Sequence, residues 1–219
     1  MTSRRLTFVL AIATSAVLAA MVLVSAITGA TQEAHEYYAP PLAYAANLLE
    51  HAGGLRVLMG LDLAFLVLYT AMFAALAAHL TELGRPIARI ALAFLIGTAV
   101  LDVIEDHMIL SALAMAESNQ LASDAWIAAQ QVLSGTKFGL SYLGLVLFGI
   151  AIPRTTRLGI VLTIFFTAGT LATATLSVAA PVAMRAQLDS GRWVSFLLGF
   201  ALLALWLRKD ADATAAPLR

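Results

Sequence analysis

The chain reads as an all-α protein, a polytopic bundle of about six transmembrane helices with both termini cytoplasmic. Three observations point there. Of its 219 residues 61% are hydrophobic and only 12% are charged, where a soluble domain carries roughly 25% charged residues. Mean hydropathy is +0.90. The apolar residues also fall in six long blocks separated by short polar stretches. Net charge is zero, so no basic surface for nucleic acid is present. Cys is absent, which removes disulfides, thiolate metal ligands and Cys nucleophiles together.

The blocks run over residues 6–30, 55–80, 87–116, 132–152, 159–184 and 193–207, forming a single membrane domain. A helix needs about 20 residues to cross the hydrocarbon core, and the first five meet that. The sixth is short, with Trp193 and Trp206 placed near its ends as interfacial anchors. The first block also follows Arg4 and Arg5 and ends in Thr28-Gly29-Ala30, the layout of a cleavable signal. Its apolar run exceeds the h-region of about 7–15 residues such signals use, so it is read as a retained span.

Orientation follows from Lys and Arg. With the N-terminus inside, Arg4, Arg5, Arg85, Arg89, Arg154, Arg157, Arg208, Lys209 and Arg219 all lie on the cytoplasmic side. Only Arg56, Arg185 and Arg192 lie outside, and Lys137 falls within a span. The excess of inner positive charge orients both termini to the cytoplasm and places the protein in a cell (cytoplasmic or inner) membrane. Alanine-rich usage suggests a bacterium. The inner turns around 81–86 and 153–158 are short, so their flanking helices are antiparallel neighbours. In the outer connection, Leu42 to Leu49 is expected as a short surface helix.

The functional signal is a set of ionisable residues at bilayer depth. Such charges are costly and rare, and mark functional sites by default. Asp62 lies seven residues into the second span, about 10 Å deep by helical rise. Asp102, Glu105 and Asp106 occupy the outer half of the third span at i, i+3 and i+4, hence one face. Lys137 enters the fourth span at similar depth, on a stripe with Gln130, Ser134 and Ser141. Tyr69 sits two turns below Asp62 on the same face. The fifth span adds Thr163, Thr167, Thr170, Thr173 and Ser177. The candidate site is thus Asp62, Tyr69, Asp102, Glu105, Asp106, Lys137, Ser134 and Ser141, in a polar pocket opening outward. Buried charges are expected in spans two to four only. Four acids and one Lys cannot all be charged in a dry site, and such a group titrates as a unit.

Other chemistries are not supported. His107 follows Val103 and Ile104, so it leaves the acidic face and makes no Glu-x-x-His ligand pair. No metal and no cofactor are assigned, although carboxylates alone suit Mg, Mn or Ca. No phosphate-binding Gly motif occurs, and no His accompanies Ser134 or Ser141 as in a Ser triad.

The pattern of Asp62 with Tyr69, then Asp102-Val-Ile-Glu105-Asp106, then Lys137 resembles a loose group of uncharacterised bacterial multi-spanning membrane proteins. These show Asp and Tyr in one span, Asp-x-x-Glu-Asn/Asp in the next and Lys opening the following one. The resemblance covers roughly the middle third of the chain, with Asp106 where Asn is more usual. It implies a shared site and no particular activity.

Three functions remain open on the residues alone. One is a transporter whose acids bind a cation or carry protons for a small solute. Another is an intramembrane enzyme acting on a lipid-like substrate with a carboxyl as general acid or base. The third is an accessory protein whose ion pairs fix helix packing. Beyond the lipid bilayer and a possible small solute or cation, no partner is implied, and oligomeric state is open.

Overall fold

The computed structural model describes residues 2–179 and 185–215, with side chains described for 2–179 and 191–208. Seven α-helices account for nearly all of it. They are α1 (Ser3–Thr28), α2 (Pro41–Glu50), α3 (Ala52–Glu82), α4 (Ile87–Glu117), α5 (Asp124–Ala151), α6 (Arg157–Ala179) and α7 (Arg185–Ala215). All but α2 are long and apolar enough to cross a membrane, which makes the chain a multi-pass membrane protein. The expected surface helix over 42–49 is α2, started by Pro41 at its first position.

Local chemistry sets the helix ends. The Thr2, Ser123 and Thr156 side chains accept from the backbone N–H of Arg5, Trp126 and Gly159, capping α1, α5 and α6. Gly29 ends α1 in the left-handed region at φ +70° with its N–H on the Ser25 carbonyl. Two boundaries differ from the sequence reading. The fourth span starts at Asp124 rather than Val132, because Ser123 caps it and the polar Gln130 is buried and paired inside it. The sixth is part of a 31-residue helix whose apolar window is Gly191–Arg208. Residues 180–184, assigned to the fifth span, lie outside the described residues.

The six spans form a closed ring in chain order. α1 packs on α3, α3 on α4, α4 on α5, α5 on α6 and α6 on α7, and α7 returns against α1. Polar clips at the helix ends hold neighbours antiparallel. Ser3 donates to Glu82 at 2.8 Å, tying the start of α1 to the end of α3. The Arg4 guanidinium donates to the Leu207 carbonyl, tying the same end to α7. At the opposite end, Arg56 pairs with Glu117 at 2.7 Å.

Outward faces carry exposed Ile27, Val67, Ile90 and Val132. Lipid solvates such side chains as well as a core would, so burial alone does not hold the ring together. Association depends on close van der Waals packing through small residues. Gly144 on α5 shows this. A Cβ there would lie 2.8 Å from Leu95 Cδ2 and 3.1 Å from the Ala91 carbonyl oxygen of α4. Leu95 can swing aside but the carbonyl cannot. Gly144→Ala is therefore expected to cost about 1–3 kcal/mol, read as a lowered thermal midpoint in detergent.

Candidate functional site

The ring encloses a cavity of about 200 Å³ lined from every span and from the α1–α2 connection. Its two ends differ in chemistry. Gln32, Glu36, Asp62, Asp102, Lys137 and Arg192 line one part, and Phe65, Tyr69, Phe73, Phe166 and Phe200 line another. A π-helical turn at Phe165–Gly169 in α6 lies against the cavity and contributes Phe165, Phe166 and Gly169 to its wall. Such turns recur at functional sites because one extra residue per turn re-aims the side chains.

Lys137 is the hub of the polar part. Its Nζ donates to Asp102 Oδ1 at 2.7 Å and to Glu105 Oε2. Both acids reach it because the i, i+3 spacing puts them on the α4 face turned to α5. Ser134, one turn before Lys137, donates its hydroxyl to the other Glu105 oxygen. Glu105 is fully buried, with both oxygens paired. Asp106 accepts from the Gln32 amide at 3.0 Å, and that amide also reaches Asp102 and Glu105 at 3.5 Å. Carboxylate oxygens of Asp62, Asp102 and Asp106 lie within 4.8 Å of one another. Asp62 is 4% exposed, and its Oδ2 has no hydrogen-bond partner.

The structure brings Asp62, Asp102, Glu105, Asp106, Lys137 and Ser134 into one cluster. Tyr69 and Ser141 line the cavity beside it, and the Tyr69 hydroxyl donates to the Leu95 carbonyl at 3.1 Å. Of the fifth-span stripe, Thr170 and Thr173 line the cavity. Thr167, Thr173 and Ser177 donate their hydroxyls to their own helix, as Ser and Thr often do. His107 leaves the cluster as its spacing requires; it is exposed, with Nδ1 2.7 Å from the Val103 carbonyl.

One expectation is corrected. Buried charge is not confined to spans two to four. Arg192 of α7, counted above among the charges on the outer side, is 8% exposed and donates to Glu36 Oε2 at 2.8 Å. Glu36 is 7% exposed, and its other oxygen lies 4.0 Å from Lys137 Nζ. The α1–α2 connection folds into the ring and places Gln32 and Glu36 among the membrane acids. Loop residues have no helical period, so pattern reading could not put them there.

That connection is held by a second polar chain. Gln130 of α5 donates to the His35 carbonyl at 2.9 Å and accepts from the Tyr44 hydroxyl at 2.7 Å. The His35 ring meets Tyr44 edge-on at 5.2 Å. Burial pushes the Tyr44 phenol up to about 12. It remains a donor throughout the physiological range. Removing that donor leaves the Gln130 oxygen buried and unsatisfied. Tyr44→Phe is expected to cost about 1–3 kcal/mol, measurable as a drop in thermal midpoint.

No protein-family model, curated protein or solved structure matches this chain.

Proposed function

We propose that the chain is a transporter of the bacterial cytoplasmic membrane, with both termini inside, that exchanges a small cation for a proton at the Asp62–Asp102–Asp106 end of its cavity. The observation that carries this reading is the imbalance of buried charge. Among the described residues, five carboxyl groups, Glu36, Asp62, Asp102, Glu105 and Asp106, face two cations, Lys137 and Arg192. Both cations are engaged by Glu36, Asp102 and Glu105. Asp62 and Asp106 are left with one amide between them, from Gln32 on Asp106.

Two adjacent carboxylates without a counter-ion do not both ionise in a dry site. They share a proton until a cation replaces it. One proton leaves as one positive charge enters, so the exchange keeps the buried charge constant. Asp62 lines the cavity, which gives the arriving cation a path to it.

The test is proton release from purified protein in weakly buffered detergent at pH 7. Na⁺, Mg²⁺, Mn²⁺ and organic ammonium salts are added in turn while a dye reports pH. About one proton per chain is expected from at least one of them, and none from Asp62→Asn or Asp106→Asn. Proteoliposomes with an imposed pH gradient should lose it on addition of the same cation. Silence to every cation, with the two variants altering only thermal stability, would make the cluster a packing network and end the transport reading.

A further inference from the structure

From the cavity beneath the acids we infer the class of cation: an ammonium ion bearing at least one N–H, carried on a compact aromatic or branched apolar body. This rests on the proposed cation exchange and adds its substrate.

Asp62 selects the head group. It is buried, lines the cavity and has an Oδ2 with no donor. An N–H donor in the cavity offers this carboxylate a hydrogen bond as well as a charge. A quaternary ammonium brings charge but no hydrogen bond. The resident cations do not serve: Lys137 Nζ is spent on Asp102 and Glu105, and Arg192 on Glu36. Both also sit over the Phe138 ring, with Lys137 Nζ at 4.8 Å and Arg192 Cζ at 4.2 Å from its centre, so that face is taken.

The rest of the wall selects the body. Beyond Asp62 the cavity is lined by rings. Phe65 and Tyr69 lie 5.3 Å apart, Tyr69 and Phe73 6.0 Å, and Phe73 and Phe200 6.4 Å between centres. A bare metal ion makes no use of them, because Mg²⁺ and Mn²⁺ sites are built from oxygen ligands and water. An organic cation uses both parts, with charge at Asp62 and cation–π and apolar contact at the rings. The cavity of about 200 Å³ exceeds the roughly 150 Å³ that admits benzene. One ring and a short ammonium arm fit. A long acyl chain does not.

The experiment is calorimetric titration of the full-length protein with 2-phenylethylammonium, benzyltrimethylammonium, 3-phenylpropionate and Mn²⁺. Emission from Trp193, which lines the cavity, is followed in parallel, with Trp193→Phe showing that the change arises there. Saturable binding is expected for phenylethylammonium. Benzyltrimethylammonium should bind at least tenfold more weakly, and phenylpropionate not at all. Asp62→Asn should weaken the amine at least tenfold, and Phe73→Ala by a smaller factor, with melting curves confirming that both fold. The ligand series on the unaltered protein needs no variant. Proton release by Mn²⁺ or Na⁺ with no amine binding would overturn the inference and leave cation exchange standing. Amine binding without proton release would overturn the exchange and leave the cavity a binding site for this class of cation. Equal binding of phenylpropionate would overturn it as well, by showing that the rings alone select.

Discussion

Replacing Lys137 by Met is expected to destabilise the protein by about 3–5 kcal/mol, the cost of removing one member of a buried ion pair. The side chain is 4% exposed and reaches Asp102, Glu105 and Glu36 from a single Nζ. Met fills the same volume but leaves three carboxyls facing one another with only Ser134, Gln32 and Arg192 as donors. Most of the loss should be recoverable. Adding Asp102→Asn and Glu105→Gln to Lys137→Met removes the stranded charge, and replacing a whole buried ionic group is often close to neutral. Thermal or denaturant unfolding of the single, double and triple variants in detergent measures this. A triple variant as unstable as Lys137→Met would show that Lys137 acts through packing rather than charge.

Stability is also expected to fall as pH drops from about 7 towards 4, because of His35. This residue is 2% exposed. Burial, with a smaller contribution from the charge of His51, lowers its pKa from 6.5 to about 4. The unfolded chain takes up a proton near 6.5 while the folded chain refuses it until about 4. Stability is therefore complete above 6.5 and is lost as pH falls through that window. The loss amounts to roughly 3 kcal/mol when integrated over the shift. His35→Gln should flatten the dependence of thermal midpoint on pH between 7 and 4. An unchanged slope in that variant would assign the acid sensitivity elsewhere.

The long helices and the core of the acidic cluster were readable in the sequence for one physical reason, helical period. Asp102, Glu105 and Asp106 at i, i+3 and i+4 have to share a face, and counting residues from the span ends puts Asp62 and Lys137 level with them. The structure adds what period cannot supply. Gln32 and Glu36 lie in an irregular segment whose path is fixed by tertiary contacts such as the Gln130 bond to the His35 carbonyl. Arg192 begins an apolar window, where a positive charge is ordinarily an interfacial residue. Its partner Glu36 is 156 residues away in sequence, and no local pattern links them. The start of α5 was missed for a related reason. Polar Gln130 reads as connection until its two buried partners are known.

The closure of the ring has a consequence for how the protein is made. Helices enter the membrane in the order of synthesis, and the seam between α1 and α7 joins two spans with four others between them in sequence. Until α7 arrives, one flank of α1 lacks its neighbour and Glu36 lacks Arg192. A nascent chain of five spans therefore holds an exposed carboxylate and an unsealed cavity. Chains truncated before Gly191 should be cleared quickly, and supplying 185–219 as a separate segment should rescue them. Insertion of α7 thus acts as the keystone of biogenesis, completing the charge balance at the moment that it shuts the wall.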